Sequence, residues 1–361
     1  MISINSIAEQ VKKNCDISDA KYCGFYSICS LTLGLRNLYK WEKGIAPWLE
    51  DDHKKVAAWI EEKEKVWGKV VNSDFEDIRI GENRYSPFDI KEINYYLKPL
   101  GLLYGAGYAT SLKPTFFLAE IEDRRSINGL SVYILNHEWI RDLFAAPGLL
   151  QENEIFVRKE TLAHFLWDKI NWIKSSGRRA LKWALEQYGL PGEITYLGPE
   201  EKGKIVERIL PHEMDTLIYH EMGEAKDETF DREIWREIVH SFNHTPVELL
   251  ARGIKDVLAD TTESGRLKYI IDQKNKGSLG FYVAFLDGFP KLIFPEIVSE
   301  FEEFAATERW ERIDAARKAA YVNATCYVEK LISLYHIGKD RGHDWLKAVV
   351  EKELIEPLTQ K

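Results

Sequence analysis

Histidine and acidic side chains are concentrated between residues 212 and 244. They occur in Pro211-His-Glu-Met-Asp-Thr-Leu-Ile-Tyr-His-Glu-Met-Gly-Glu and in a second stretch carrying Glu237, His240 and His244. A helix turns about 100° per residue. Glu213, His220 and Glu224, seven and four apart, therefore share a narrow stripe of one helix. Glu237, His240 and His244, three and four apart, share a face of the next. A turn near residues 226–229 would set the two helices antiparallel and bring His220 and Glu224 level with His240 and Glu237. Imidazole and carboxylate groups on facing helices bind iron, manganese or zinc in helical bundles, and Glu237 with His240 supplies one ExxH element of that kind. The expectation is a metal ion, iron or zinc, held by Glu213, His220, Glu224, Glu237 and His240. A ferritin-like di-iron centre needs two ExxH elements, and this region has one. Glu and His at these spacings also form surface pairs in water, so a metal-free scaffold or protein-interaction role is the competing expectation.

His220-Glu-Met-Gly-Glu is similar to a zinc-protease helix with its second His replaced by Glu. In that reading His220 and Glu224 bind the ion and Glu221 is the catalytic base acting on a bound water. Gly223 inside a helix costs ~1 kcal/mol relative to Ala, which predicts a close packing contact or backbone approach there. Downstream, Asp256 and Asp260 are four apart with Glu263 beyond. Either they bring carboxylates to the metal from a third helix, or Asp260, Thr261 and Thr262 end one helix and cap the next. Gly105-Ala-Gly lacks the Gly-Lys-Ser/Thr ending of a phosphate loop and reads as turn or bulge glycines. Lys174, Arg178 and Arg179 beside Ser175-Ser-Gly are either an anion site at a helix start or a solvated junction. No nucleophile-elbow pattern supports a serine hydrolase. The four cysteines form no CxxC pair and read as buried, inert thiols.

These residues need helices to position them. From Lys159 onward the pattern is almost wholly helical, with segments at 159–175, 178–189, 199–226, 230–244, 246–259, 263–275, 278–286, 291–305, 308–336 and 342–355. The first 70 residues are also helical: Asp16 or Ser18 caps a helix running through Tyr39, Gly44 and Pro47 break it, and Asp51 or Asp52 opens another from His53 to Val66. Between them lies a different texture. After a short helix, Phe88 to Leu97, come β-rich runs at 101–108, 115–121, 130–135 and 154–158, with Asn128-Gly129 as a tight hairpin signal. Short connections predict a small antiparallel sheet. The fold class is α+β, predominantly α-helical, with a small antiparallel sheet in the N-terminal half and a bundle-like helical C-terminal half. The expected division is 1–158 and 159–361, the two parts packing as one unit.

Composition bounds the rest. With 45% hydrophobic and 30% charged residues the 361-residue chain can fill a core and solvate a surface. Eleven Trp, seventeen Tyr and sixteen Phe predict an aromatic-rich interior or interface. A net charge of −9 argues against a nucleic-acid partner. The most apolar early run, Tyr22 to Leu35, ends at Arg36, too short for a bilayer, and residues 279–294 are interrupted by Asp287, Pro290 and Lys291. The expectations are a soluble cytoplasmic protein, no membrane, and a protein partner or homo-oligomer.

Six segments carry a family resemblance: Asn14-Cys-Asp-Ile-Ser-Asp-Ala, Leu103-Tyr-Gly-Ala-Gly-Tyr, Lys113-Pro-Thr-Phe-Phe-Leu-Ala-Glu, His220-Glu-Met-Gly-Glu-Ala, Asp256-Val-Leu-Ala-Asp-Thr and Gly277-Ser-Leu-Gly-Phe-Tyr-Val-Ala-Phe-Leu-Asp-Gly. Over nearly the whole chain it resembles the uncharacterised Sfum-type family of anaerobic, largely sulfate- and metal-reducing bacteria. The resemblance implies a shared cytoplasmic architecture, and it brings no activity, cofactor or catalytic residue. It directs attention to His220, Glu221 and Glu224.

Overall fold

Short polar side chains mark where the first helices begin. Ser3 accepts from the Ser6 N–H and opens α1 (Ile4–Tyr22); Ser27 accepts from the Ser30 N–H and opens α2 (Ile28–Glu42). Residues 3–360 are described in this computed structural model. The expected single helix through Tyr39 is therefore two, because Tyr26 is extended (φ −95°, ψ 150°) and Ser27 restarts the ladder. Asp16 and Ser18 lie inside α1, buried, where Asp16 pairs with Lys12 at 2.9 Å and the Ser18 hydroxyl donates to the Pro114 carbonyl. Asp52 caps α3 (His53–Val70) through the Lys54 N–H.

A three-residue hairpin follows, β1 (Ile78–Ile80) with β2 (Asn83–Tyr85), then α4 (Ile90–Leu97). The larger sheet contains β3 (Leu102–Tyr108), β4 (Pro114–Ile127), β5 (Leu130–Arg141), β6 (Gly148–Gln151) and β7 (Glu154–Arg158), in the order β3-β4-β5-β7-β6. Asn128 (φ 50°) and Gly129 (φ 86°) turn β4 into β5, both in the left-handed region that a two-residue hairpin requires. Gly105 lies within β3, where a Cβ would fall 2.0 Å from the Phe117 ring, so it is a packing glycine in a strand rather than a turn.

The remaining helices are α5 (Lys159–Asn171), α6 (Arg178–Gln187), α7 (Pro199–Lys226), α8 (Arg232–Ser241), α9 (Pro246–Thr261), α10 (Arg266–Asp272), α11 (Lys276–Phe285), α12 (Gly288–Ile293), α13 (Glu296–Thr307), α14 (Trp310–Lys339), α15 (His343–Val350) and α16 (Glu356–Thr359). In all, 64% of the chain is helix and 13% strand, an α+β protein with both sheets in the N-terminal half and helices in the C-terminal half. Among the described residues no helix is long and apolar enough to cross a membrane.

The chain divides into two compact units. One is Met1–Leu149 with Phe156–Asp168 and Pro199–Val206; the other is Leu150–Ile155 with Lys169–Gly198 and Glu207–Lys361. In the first, Ile7, Val11 and Cys15 of α1 pack on Leu102, Tyr104, Phe116 and Leu118 of the sheet and on Ile93 and Leu97 of α4. In the second, α9 is the central element, packed by α8, α10, α12 and α14. Its Val247, Leu250, Ala251, Ile254, Val257 and Leu258 are buried at helical spacing. The cysteines depart from expectation: Cys15 is buried and Cys23 half-buried, but Cys29 and Cys326 are exposed, and all four are free thiols.

Candidate metal centre

Two i, i+4 pairs on different helices build the site. α7 presents His220 and Glu224, and α9 presents Asp256 and Asp260. What brings them together is Gly223: a Cβ there would lie 2.0 Å from the Ala259 carbonyl oxygen and 2.8 Å from its carbon. Only a residue without a side chain allows this approach, so the helix-weakening glycine is the contact its position predicts. Gly265, after α9, meets the same carbonyl from another side, with a Cβ distance of 2.1 Å.

At this crossing His220 Nδ1 is 2.7 Å from Asp260 Oδ1. Asp260 accepts the Nδ1–H, which leaves Nε2 directed at Glu224, whose Oε1 is 3.8 Å away. One ligand atom each from His220, Glu224 and Asp256 lie within 4.8 Å of one another. This is the carboxylate–histidine arrangement that orients a metal-binding imidazole and fixes its tautomer. Glu224 also receives Lys255 Nζ at 2.8 Å, while Lys255 lies over the Trp235 ring at 4.3 Å. Arg266 Nε is 3.5 Å from Asp260 and donates to the Thr216 carbonyl at 3.3 Å.

Three further groups have chemistry to spare. Among the described residues the carboxylates of Glu221, which is buried, and Asp256, which is half-buried, make no hydrogen bond or ion pair. The Tyr282 hydroxyl of α11 is buried beside Asp260 without a hydrogen bond of ordinary geometry. Burial and then the Glu224 charge push the Glu221 carboxyl up to about 7. Burial, with Glu224 and Asp260 nearby, raises Asp256 to about 6 against the pull of His220. Burial would lower His220, but the Asp260 charge and hydrogen bond carry it up to about 9. The imidazole is therefore protonated at neutral pH, and an ion entering at Nε2 must displace that proton.

The structure sorts the sequence-based candidates. His220 and Glu224 come together, with Glu221 beside them. Glu213 shares their stripe but sits two turns away, roughly 10 Å along the axis. Its carboxylate accepts from Ser278 Oγ at 2.7 Å and Thr216 Oγ1 at 3.3 Å. Glu237 is exposed and binds the Tyr335 hydroxyl at 2.8 Å and Lys339 Nζ at 3.0 Å. His240 and His244 are also exposed. Thr261 ends α9 and Thr262 is its C-cap, with its N–H donating to the Leu258 carbonyl, but none of Asp260, Thr261 and Thr262 caps α10, whose N-cap is Gly265 without a side-chain hydrogen bond; Thr261 Oγ1 donates to the Val257 carbonyl within α9. Asp256 lies in the cluster with His220 and Glu224, and Asp260 bonds His220 Nδ1. Tyr282 was hidden inside an apolar run. Lys174 pairs with Asp287, and Arg179 with Glu302 at 3.1 Å.

Family models match both parts of the sequence. The N-terminal domain of the family of unknown function DUF6866 covers residues 6–158, and its C-terminal domain covers residues 163–353. The chain belongs to that family. No curated protein and no solved structure matches it.

Proposed function

We propose that this protein binds one divalent transition-metal ion through His220 Nε2 and the Glu224 and Asp256 carboxylates, with zinc or iron as the ion. The observation that carries the reading is the convergence of those three groups within 4.8 Å while Asp260 occupies the other histidine nitrogen. One imidazole with two carboxylates suits intermediate-hardness ions, and a set of three protein ligands leaves positions for water or substrate. Glu213 and Glu237 are engaged elsewhere and His240 is exposed on α8, so the proposed ligand set leaves them out.

The reaction class that the surroundings support best is metal-assisted hydrolysis. A bound ion lowers the pKa of its water. Glu221, buried next to Glu224 and among the described residues without a hydrogen bond, would serve as the base for such a water, and a carboxyl near neutrality is matched to that task. We also take the Sfum-type resemblance to place the protein in the bacterial cytoplasm. A second reading, an interaction surface independent of metal, is favoured by Phe25 and Ile28, which are 58% and 83% exposed where α1 gives way to α2.

Elemental analysis and calorimetry on the full-length protein test the proposal. The expected result is one equivalent of zinc or iron, lost in His220→Ala, Glu224→Ala and Asp256→Ala alike. A wild type that takes up neither zinc(II) nor iron(II) at micromolar concentration sinks it. Glu221→Gln is expected to keep the metal and lose hydrolytic activity.

A further inference from the structure

Lys255 of α9 shares one carboxylate with the proposed ion. Its Nζ donates to Glu224 Oε2 at 2.8 Å, whereas Oε1 of the same carboxylate is the atom 3.8 Å from His220 Nε2. An ion held between Nε2 and Oε1 therefore has the Lys255 ammonium on the adjacent oxygen. Solvent reaches this group: the side chains of His220, Glu224 and Lys255 are 15%, 19% and 25% exposed. All of these residues belong to the second unit.

Two other cations nearby are turned to different tasks. Arg266 directs its Nε at Asp260 and at the Thr216 carbonyl, on the Nδ1 side of the imidazole. Arg252, one turn before Asp256 on α9, is held by Glu248 at 2.8 Å. Lys255 is held in place without being used up. An ammonium carries three N–H donors, and among the described residues its one hydrogen bond goes to Glu224. The half-buried Trp235 ring of α8 lies 4.3 Å from Nζ and keeps the ammonium at the site by its π face.

Charge decides what such a lysine is for. In the metal-free protein it balances Glu224. With a divalent ion in place, the Glu224 and Asp256 carboxylates balance the ion, and among the described residues Lys255 pairs with no other carboxylate. A positive charge is then left beside the ion at a solvent-reached surface, where it attracts anions and repels cations. A neutral ester or amide offers one carbonyl oxygen to the ion and leaves the ammonium unmatched. A phosphate or carboxylate group has two oxygens to offer, one for each cation. We infer that the substrate of this site is anionic, with a phosphate or carboxylate group lying across the ion and Lys255 Nζ, one oxygen on each. The inference rests on the metal reading and adds to it the class of molecule bound.

The test loads full-length protein with zinc(II) or iron(II), whichever it takes up, and removes the excess. Calorimetry then follows titration with sodium phosphate, sodium acetate or neutral acetamide, at an ionic strength held constant with sodium chloride. The expected result is saturable binding of phosphate or acetate, with none of acetamide and none by the metal-free protein. Comparing phosphate with acetate tells a tetrahedral from a planar group. Lys255→Met is expected to weaken the anion at least tenfold while metal affinity holds or rises, because the ammonium competes with the ion for Glu224. A lysine that only balances Glu224 would give the other pattern, tighter metal and unchanged anion binding, and that result overturns the inference. Metal-loaded wild type that binds neither anion also overturns it and leaves the metal reading standing; a wild type that takes up no metal overturns both. The wild-type titrations decide even where the variant fails to fold.

Discussion

Replacing Gly223 by Ala isolates what the helix crossing does for the site. The added Cβ would stand 2.0 Å from the Ala259 oxygen, whereas ordinary contact begins near 3.4 Å, so α7 and α9 must part by about 1.4 Å along that line. The obstacle is backbone, which cannot rotate away. An equal displacement would stretch the 2.7 Å contact of His220 with Asp260 to about 4 Å, beyond hydrogen-bond range. Metal ligands tolerate errors of ~0.2 Å, and loss of an outer partner alone costs ~10–100-fold in affinity. With the ligands of two helices displaced as well, zinc affinity should fall at least ~100-fold. Stability should change much less. Ala gains ~1 kcal/mol of helix propensity over Gly, set against ~1–3 kcal/mol for overpacking, a net loss of at most ~2 kcal/mol. Competition with a chromophoric chelator reads the affinity, and urea unfolding of the metal-free protein reads the stability. A Gly223→Ala protein that holds zinc within about threefold of the wild type would refute the idea that this glycine sets the ligand geometry.

Other substitutions separate the remaining roles. Asp260→Asn keeps an acceptor near Nδ1 but removes the charge, and should weaken metal binding ~10–100-fold by calorimetry while the fold stays intact. The double variant Glu237→Gln, His240→Ala should leave metal affinity within twofold and stability within ~0.5 kcal/mol, because both side chains are exposed; a large loss of metal would restore them as ligands. Glu213 gives a pH test. Burial lifts its carboxyl from 4.5 to about 7, against donors from Ser278 and Thr216 and the Arg266 charge. The native state therefore holds this proton more tightly than the unfolded chain. Its contribution is fully present below pH 4.5 and declines by at most ~3 kcal/mol as pH rises through 7. Urea unfolding from pH 4.5 to 8 should show a flatter decline in Glu213→Gln than in the wild type; parallel curves would contradict it. Gly129→Ala, at φ 86°, should destabilise the protein by ~1–2 kcal/mol in the same assay.

How much of this was readable beforehand follows from what periodicity encodes. The Asn128-Gly129 hairpin, the Asp52 cap and the long helices were legible because each depends on neighbours in sequence. The β1–β2 hairpin was not: three residues per strand, Ile78-Arg-Ile and Asn83-Arg-Tyr, are too few to establish an alternation. The α1–α2 break leaves no mark in the periodicity, because the apolar pattern continues through Tyr22 and Phe25 while Tyr26 turns extended. At the site the same limit appears in sharper form. Helical spacing fixes the angle of a side chain around its axis and says nothing about its height or about the neighbouring helix. Glu213 therefore looks equivalent to Glu224 on spacing although it lies about three turns below, and α8 looks like the partner although Asp256 and Asp260 come from α9. The usable signal was a match between pairs: His220 with Glu224 and Asp256 with Asp260, each four apart, the first bracketing a glycine. Two helices that approach at a glycine and each carry such a pair can meet side chain to side chain over one turn. An isolated His-x-x-x-Glu has no such constraint. That pairing, rather than the density of His and Glu, is the feature to seek in related chains.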